Sequence, residues 1–414
     1  MTYFNDYLNN KYTQTSSVKS LEENGSFIYA MAAFLTAFIS TSAVVGHYTG
    51  LNAKFFYAPM LIGLIFSRLF SNGFRINKYA LYLAILLFTT SIFGVVFVED
   101  IFGAFIPVFL VVSFFFVTVL KRSEILRFVS WSSNFFLILI FFALVALLFD
   151  QILQISPIGE FPNRDGRANI IFWGTVTNST IMGVPRSAGI YDEPGAFSFF
   201  IVSVIALRIL FKLPDAKTLL LAFGGLVTFS AAHFVFIVFL LFYMMQKKRK
   251  MFFGLVVITS VLYLFFITFL SGDNVFSALL LRFIDPQDPK SVLLRLHLLV
   301  DAFSFIGNDY SFLVGYMGAC GVNFRSCLVF DGFYVRENPL WPMVSSGILF
   351  SWAYYVILAY LFWHSLSRKN FALFGFSLML LQRPYVFHWG YSFLILIIVW
   401  VVWKWSFGPK IVEK

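Results

Sequence analysis

The chain has 414 residues, of which 60% are hydrophobic and only 12% charged, and its mean hydropathy is +0.84. Soluble domains carry about 25% charged residues, so the composition excludes an ordinary water-soluble domain and indicates a polytopic integral membrane protein. The net charge of +10 gives no reason to invoke nucleic acid, because the cations gather in short loops where they act as orientation signals.

A helix needs about 20 apolar residues to cross the bilayer core. Apolar runs recur near 26–46, 55–70, 79–97, 101–120, 133–153, 194–212, 218–231, 233–246, 251–270, 341–363, 371–382 and 390–406. The stretch 218–246 is short for two crossings, and 371–406 needs Gln382-Arg383-Pro384 as its turn. With the N-terminus inside, the inner segments collect Lys11, Lys19, Arg68, Arg75, Lys78, Lys121, Arg122, Arg127, Arg208, Lys212, Lys217, Lys247 to Lys250, Arg368, Lys369, Lys404, Lys410 and Lys414. The short outer loops hold only Lys54 and Arg383. That asymmetry follows the positive-inside rule and predicts an all-α membrane protein of twelve spans, a single domain over 1–414 with both termini cytoplasmic. A polar stretch of 25 residues precedes the first span, so no cleavable signal is expected and the first helix is the anchor.

Two segments break the pattern of tight turns, 154–193 and 271–340, and both fall on the outer side. Long loops between spans usually carry function, so the active site is expected there. Within the second, 291–305 reads as an amphipathic interfacial helix bearing Arg295 and His297, about 200° apart around its axis. Cys320 and Cys327 also lie in this loop; an oxidising compartment would allow them to pair, and free thiols remain the alternative.

Beyond Lys54 and Lys290, every outer cation is an arginine: Arg164, Arg167, Arg186, Arg282, Arg295, Arg325, Arg336 and Arg383. The planar guanidinium grips phosphate oxygens bidentately, so the outer face is expected to recognise a phosphorylated ligand. Ion pairs with Asp165, Asp192, Asp285, Asp288, Asp301, Asp331 or Glu337 are the structural alternative for any single one.

The segment Arg186-Ser-Ala-Gly189-Ile-Tyr191-Asp192-Glu193-Pro194-Gly195 sits where the first outer loop meets the sixth span. Pro194 falls in the first helical turn, which leaves Glu193 at the helix entrance. The helix dipole favours an anion there, so Glu193 either caps the helix or accepts a proton from an attacking hydroxyl. His47, His233, His297, His364 and His388 show no paired ligand spacing, and no zinc pattern or serine-hydrolase elbow occurs. Asp285 and Asp288 sit in a turn sequence. Neither metal nor cofactor is expected. The cytoplasmic loops are short and lack a Gly-rich phosphate cradle, which argues against a nucleotide substrate.

The pattern Arg186-x-x-Gly189-x-x-x-Glu193-Pro194-x-x-Phe197, opening a span after a long outer loop, resembles the signature of the O-antigen polymerase (Wzy) family, related to the O-antigen ligases. Layout adds to the resemblance: about twelve spans, two large periplasmic loops, Arg295 followed by a Gly315-containing turn, and Glu337-Asn338-Pro-Leu-Trp leading into a span with Gly347.

The resemblance implies a metal-independent glycosyltransferase of GT-C type in the bacterial inner membrane. It would move a growing polysaccharide from undecaprenyl diphosphate onto the non-reducing end of a lipid-linked repeat unit at the periplasmic face. By motif position, Arg186 and Arg295 would bind the donor diphosphate and Glu193 or Glu337 would be the base. Arg164, Arg167, Arg325 and Arg336 would be secondary sugar or phosphate contacts. The ligases carry a histidine in the segment corresponding to Glu337-Asn338, and its absence here favours the polymerase. The implied partners are the undecaprenyl-diphosphate-linked oligosaccharide, the lipid bilayer and, as such polymerases commonly use one, a chain-length regulator. A ligase acting on lipid A core and a lipid-linked oligosaccharide flippase are the competing readings; the ionisable residues gather at span ends, which weighs against transport.

Overall fold

The computed structural model describes residues 27–49, 54–71, 81–86, 88–89, 101–151, 153–162, 168–181, 184–247, 339–382 and 389–406, with a few positions between 299 and 334. The described chain is mostly helical, as expected from its long apolar runs. The helices are α1 (Phe27–Ile39), α2 (Ala43–Thr49), α3 (Lys54–Ser71), α4 (Ile101–Val119), α5 (Arg122–Gln151), α6 (Pro194–Leu210), α7 (Asp215–Gly224), α8 (Ala231–Lys247), α9 (Trp341–Ser367), α10 (Phe371–Gln382) and α11 (Trp389–Ser406). Among the described residues α5 is long and apolar enough to cross a membrane unaided; α1 and α2, bent by 90° at their junction, would make a second if taken as one span.

The expected run 218–231 does not form a full crossing. It belongs to α7, which gives way to a 3₁₀ turn at Gly225–Thr228 and then breaks, with Phe229 in the left-handed region at φ 44°. At the standard rises, α7 and its 3₁₀ turn reach only about 23 Å, short of the roughly 30 Å hydrocarbon core. Glycine and Thr/Ser interrupt the apolar sequence here: Gly224 lets Ile140 of α5 approach to within 2.6 Å of where a Cβ would stand.

Helix α6 is the hub. It packs against α5, α7, α8, α10 and α11, and every residue from Ala196 to Arg208 is buried. Its even all-round hydrophobicity is what a fully enclosed helix requires. Phe197, Phe199 and Phe200 are completely enclosed, and Phe200 stacks on Tyr391 of α11 with ring centroids 4.6 Å apart.

The chain direction separates two ends. Helix α5 starts at exposed Lys121 and Arg122, and α6 ends at exposed Lys212. Two buried basic groups tie this end together. Arg68 pairs with Glu124 and lies 3.9 Å over the Tyr29 ring. Glu124 also accepts from the Lys121 amide at 2.7 Å, the reach-back half of a capping box. Arg208 donates to Ser133, Thr218 and the Pro214 carbonyl at 2.7–3.0 Å.

At the opposite end the 154–193 segment holds β-structure that the sequence reading did not assign. Strands β1 (Gly159–Pro162), β2 (Ala168–Phe172) and β3 (Thr175–Thr177) form an antiparallel sheet in that order, and β4 (Thr180–Ile181) pairs with β5 (Val184–Pro185). The β2–β3 turn closes on Gly174 at φ 95°, packed so tightly against Phe142 that a Cβ would come within 2.8 Å. A third hairpin pairs β6 (Val329–Phe330) with β7 (Phe333–Tyr334) within the 271–340 segment. The expected span 251–270 and most of the interfacial helix 291–305 lie outside the described residues.

Candidate functional site

The segment from Arg186 to Glu193 is held on three sides. Toward β3, the Ala188 amide donates to the Val176 carbonyl at 2.7 Å and the Val176 amide returns a bond to Gly189 at 2.8 Å. Thr175 and Ser187 hydroxyls meet at 2.6 Å, and the Gly189 amide donates to Thr175 Oγ1 at 3.0 Å. Toward α2, Ser42 Oγ donates to the Ile190 carbonyl at 3.0 Å. Gly189 adopts φ 63°, and a Cβ there would stand 3.1 Å from the Phe197 ring, so both backbone and packing call for glycine. Tyr191 then inserts into the core, fully buried, stacked on Phe200 with centroids 4.4 Å apart. Burial pushes its hydroxyl well above the usual tyrosine range, and that hydroxyl has no hydrogen-bond partner among the described residues.

Arg186 reaches across to the helix break. Its Nε donates to the Thr228 carbonyl at 3.4 Å, one terminal nitrogen to Phe229 at 3.2 Å and the other to Ser179 Oγ at 3.4 Å. The Ser187 amide adds a bond to the Val227 carbonyl at 3.2 Å. Carbonyls at a helix C-terminus carry the negative end of the dipole, so a guanidinium is well placed to satisfy them. Arg186 therefore has a structural task, capping the 3₁₀ turn, which its place in the motif did not reveal. Its side chain stays half-buried rather than enclosed.

Glu193 is the N-cap residue of α6, with φ −141° and ψ 145° and Pro194 following as expected. Its side chain makes no capping hydrogen bond; the main-chain carbonyl of Glu193 instead accepts from Ala196 and Phe197 at 3.1 and 3.2 Å. Of the two roles open from sequence, the side-chain cap is not formed. The preceding peptide is fixed by Asn178, whose Nδ2 donates to the Asp192 carbonyl at 2.6 Å. Asn178 adjoins Ser179, the partner of Arg186, so a short chain of bonds joins Arg186 to the Asp192–Glu193 peptide.

Sequence reasoning missed Asn178, Ser179, Thr228 and Phe229. The signal for the last two was the interruption Gly224-Gly225…Thr228-Phe229-Ser230 in an apolar run. His233 is a helix residue, fully buried between Ser198 Oγ at 3.2 Å from Nδ1 and the Ala222 carbonyl at 2.8 Å from Nε2. This satisfied histidine joins α6, α7 and α8. Arg164, Arg167, Arg295, Arg325, Arg336, Glu337, Cys320 and Cys327 lie outside the described residues. Among the described residues no group of three His, Cys, Asp or Glu is placed to hold a metal ion.

No family model matches the chain, and no curated protein matches it.

Proposed function

We propose that the chain is a multi-pass membrane glycosyltransferase of the O-antigen polymerase kind, set in the bacterial inner membrane with its site at the periplasmic face. The observation that carries this reading is the presentation of Arg186 and Glu193 from one rigid segment. Gly189, Tyr191 and Pro194 within it are buried, while Arg186, Asp192 and Glu193 stay half-exposed, and the Glu193 carboxylate is not used to cap α6. A cation and a carboxylate anchored at the end of the central helix are the parts that transfer from a lipid diphosphate needs.

Support for a bilayer setting comes from the outer helix faces. On α5, Ile138, Phe141, Phe142, Leu144 and Leu148 are exposed while Ser132 and Ser133 are buried. Val235, Val238 and Phe242 on α8, and Val356, Trp363 and Leu366 on α9, repeat the pattern. Such patches are rare on water-soluble monomers.

In this reading the non-reducing-end hydroxyl of a lipid-linked repeat unit attacks the anomeric carbon of the donor chain. Its proton passes to Glu193 or Glu337, the new glycosidic bond forms, and undecaprenyl diphosphate leaves with charge stabilised by Arg186 and Arg295. Arg164, Arg167, Arg325 and Arg336 would contact sugar or phosphate. A chain-length regulator is the expected protein partner.

The test is reconstitution in lipid nanodiscs with lipid-diphosphate repeat units and no lipid A core. A ladder of lengthening chains is expected. Transfer only when lipid A core is supplied would make the protein a ligase, and vesicle transport without bond formation would make it a flippase.

A further inference from the structure

We infer that Asn178 is a positioning residue for Glu193, an inference that rests on the glycosyltransferase reading and names a residue outside its signature motif. Asn178 follows β3, and its Nδ2 donates to the Asp192 carbonyl at 2.6 Å across a gap of 14 residues. The bond fixes the peptide joining Asp192 to Glu193. That peptide sets where Glu193, in extended geometry at the entrance of α6, leaves the backbone.

The rest of the neighbourhood makes Asn178 a rigid reference point. Thr177 Oγ1 donates to the Ser179 carbonyl at 2.8 Å, and the Ser179 amide donates back to that hydroxyl at 3.3 Å. The Arg186 amide donates to the same Ser179 carbonyl at 3.1 Å. One short turn thus holds the arginine on one side and the glutamate-bearing peptide on the other. Asn178 is only 9% exposed, and its Oδ1 is buried with no partner among the described residues. A half-satisfied buried amide is unusual. An apolar residue would avoid the orphan acceptor but lose the donor, so the donor half is what this position supplies.

The test is a kinetic cycle on the full-length protein in nanodiscs, following chain extension. Asn178→Ala should lower kcat by about 10- to 100-fold, as small misplacements of a reacting group do, with the KM for lipid-linked repeat unit little changed. Asn178→Asp keeps the size and the orphan acceptor but turns the donor toward Asp192 into an acceptor, so it should lose at least as much. Asn178→Gln, which retains an amide donor, should recover part of the rate. The deciding readout is Asn178→Ala combined with Glu193→Gln: if Asn178 acts through Glu193, the double variant is no slower than Glu193→Gln alone. Multiplying losses, or unchanged kcat in Asn178→Ala, overturns the inference. Should Asn178→Ala fail to fold, the Asn178→Asp arm of the same cycle decides. Failure of the wild-type protein to extend chains would instead remove the glycosyltransferase reading itself.

Discussion

Arg186 donates from Nε to the main-chain carbonyl of Thr228 at 3.4 Å, 42 residues further along the chain. Thr228 is fully buried, and a buried carbonyl left without a donor is costly. Arg186→Ala is therefore expected to destabilise the fold by about 2 kcal/mol, read as a lower unfolding temperature in detergent. At a temperature where the variant stays folded, single-repeat lipid-linked units should accumulate and long chains vanish. Normal chain length in a folded Arg186→Ala variant would leave Arg186 with its capping task alone.

Gly225 leaves no room for a side chain: a Cβ would stand 2.2 Å from His233 Cε1. The imidazole is held at both nitrogens and cannot swing aside without losing its bonds to Ser198 and Ala222. Gly225→Ala should lower stability by about 1–3 kcal/mol. Pairing it with His233→Ala should relieve the clash, so the two losses should be less than additive in thermal unfolding.

The Tyr191 hydroxyl is buried without a partner among the described residues, so Tyr191→Phe should be neutral or stabilising. The pH dependence has a definite sign. Burial raises the folded-state pKa, while in the unfolded chain tyrosine ionises near 10. Above about pH 10 the unfolded state binds fewer protons than the folded one, so stability falls as pH rises. Unfolding temperatures of wild type and Tyr191→Phe measured between about pH 8 and 11 should diverge in favour of the variant at the alkaline end.

The buried Arg68–Glu124 pair joins α3 to the start of α5. Removing one partner strands the other charge, so Glu124→Ala should cost about 3–5 kcal/mol. Arg68→Met with Glu124→Leu should recover most of that in the same unfolding assay.

Orientation is open to direct labelling in a background with Cys320 and Cys327 replaced by serine. Glu160 lies on β1 and Lys217 on the opposite side of the helix bundle, both exposed. Glu160→Cys should react with an impermeant maleimide in spheroplasts, and Lys217→Cys only after the membrane is opened. The reverse pattern would invert the topology.

Much of the helical layout was legible in the sequence, because a helix shielded on all sides is apolar on all sides and the Ala196–Arg208 run says so directly. Pro194 at the start of α6 was legible too, since its ring fits the first turn. Residue pattern alone also placed Arg186 and Glu193 on one segment. What no local pattern encodes is which distant groups satisfy an interrupted backbone. The break after Thr228, the guanidinium that caps it, the Asn178 bond to Asp192 and the strands between Gly159 and Pro185 all depend on partners that only folding brings together. Periodicity reports how much of a residue is enclosed; it carries no information on which carbonyl, dozens of positions away, will face a given donor.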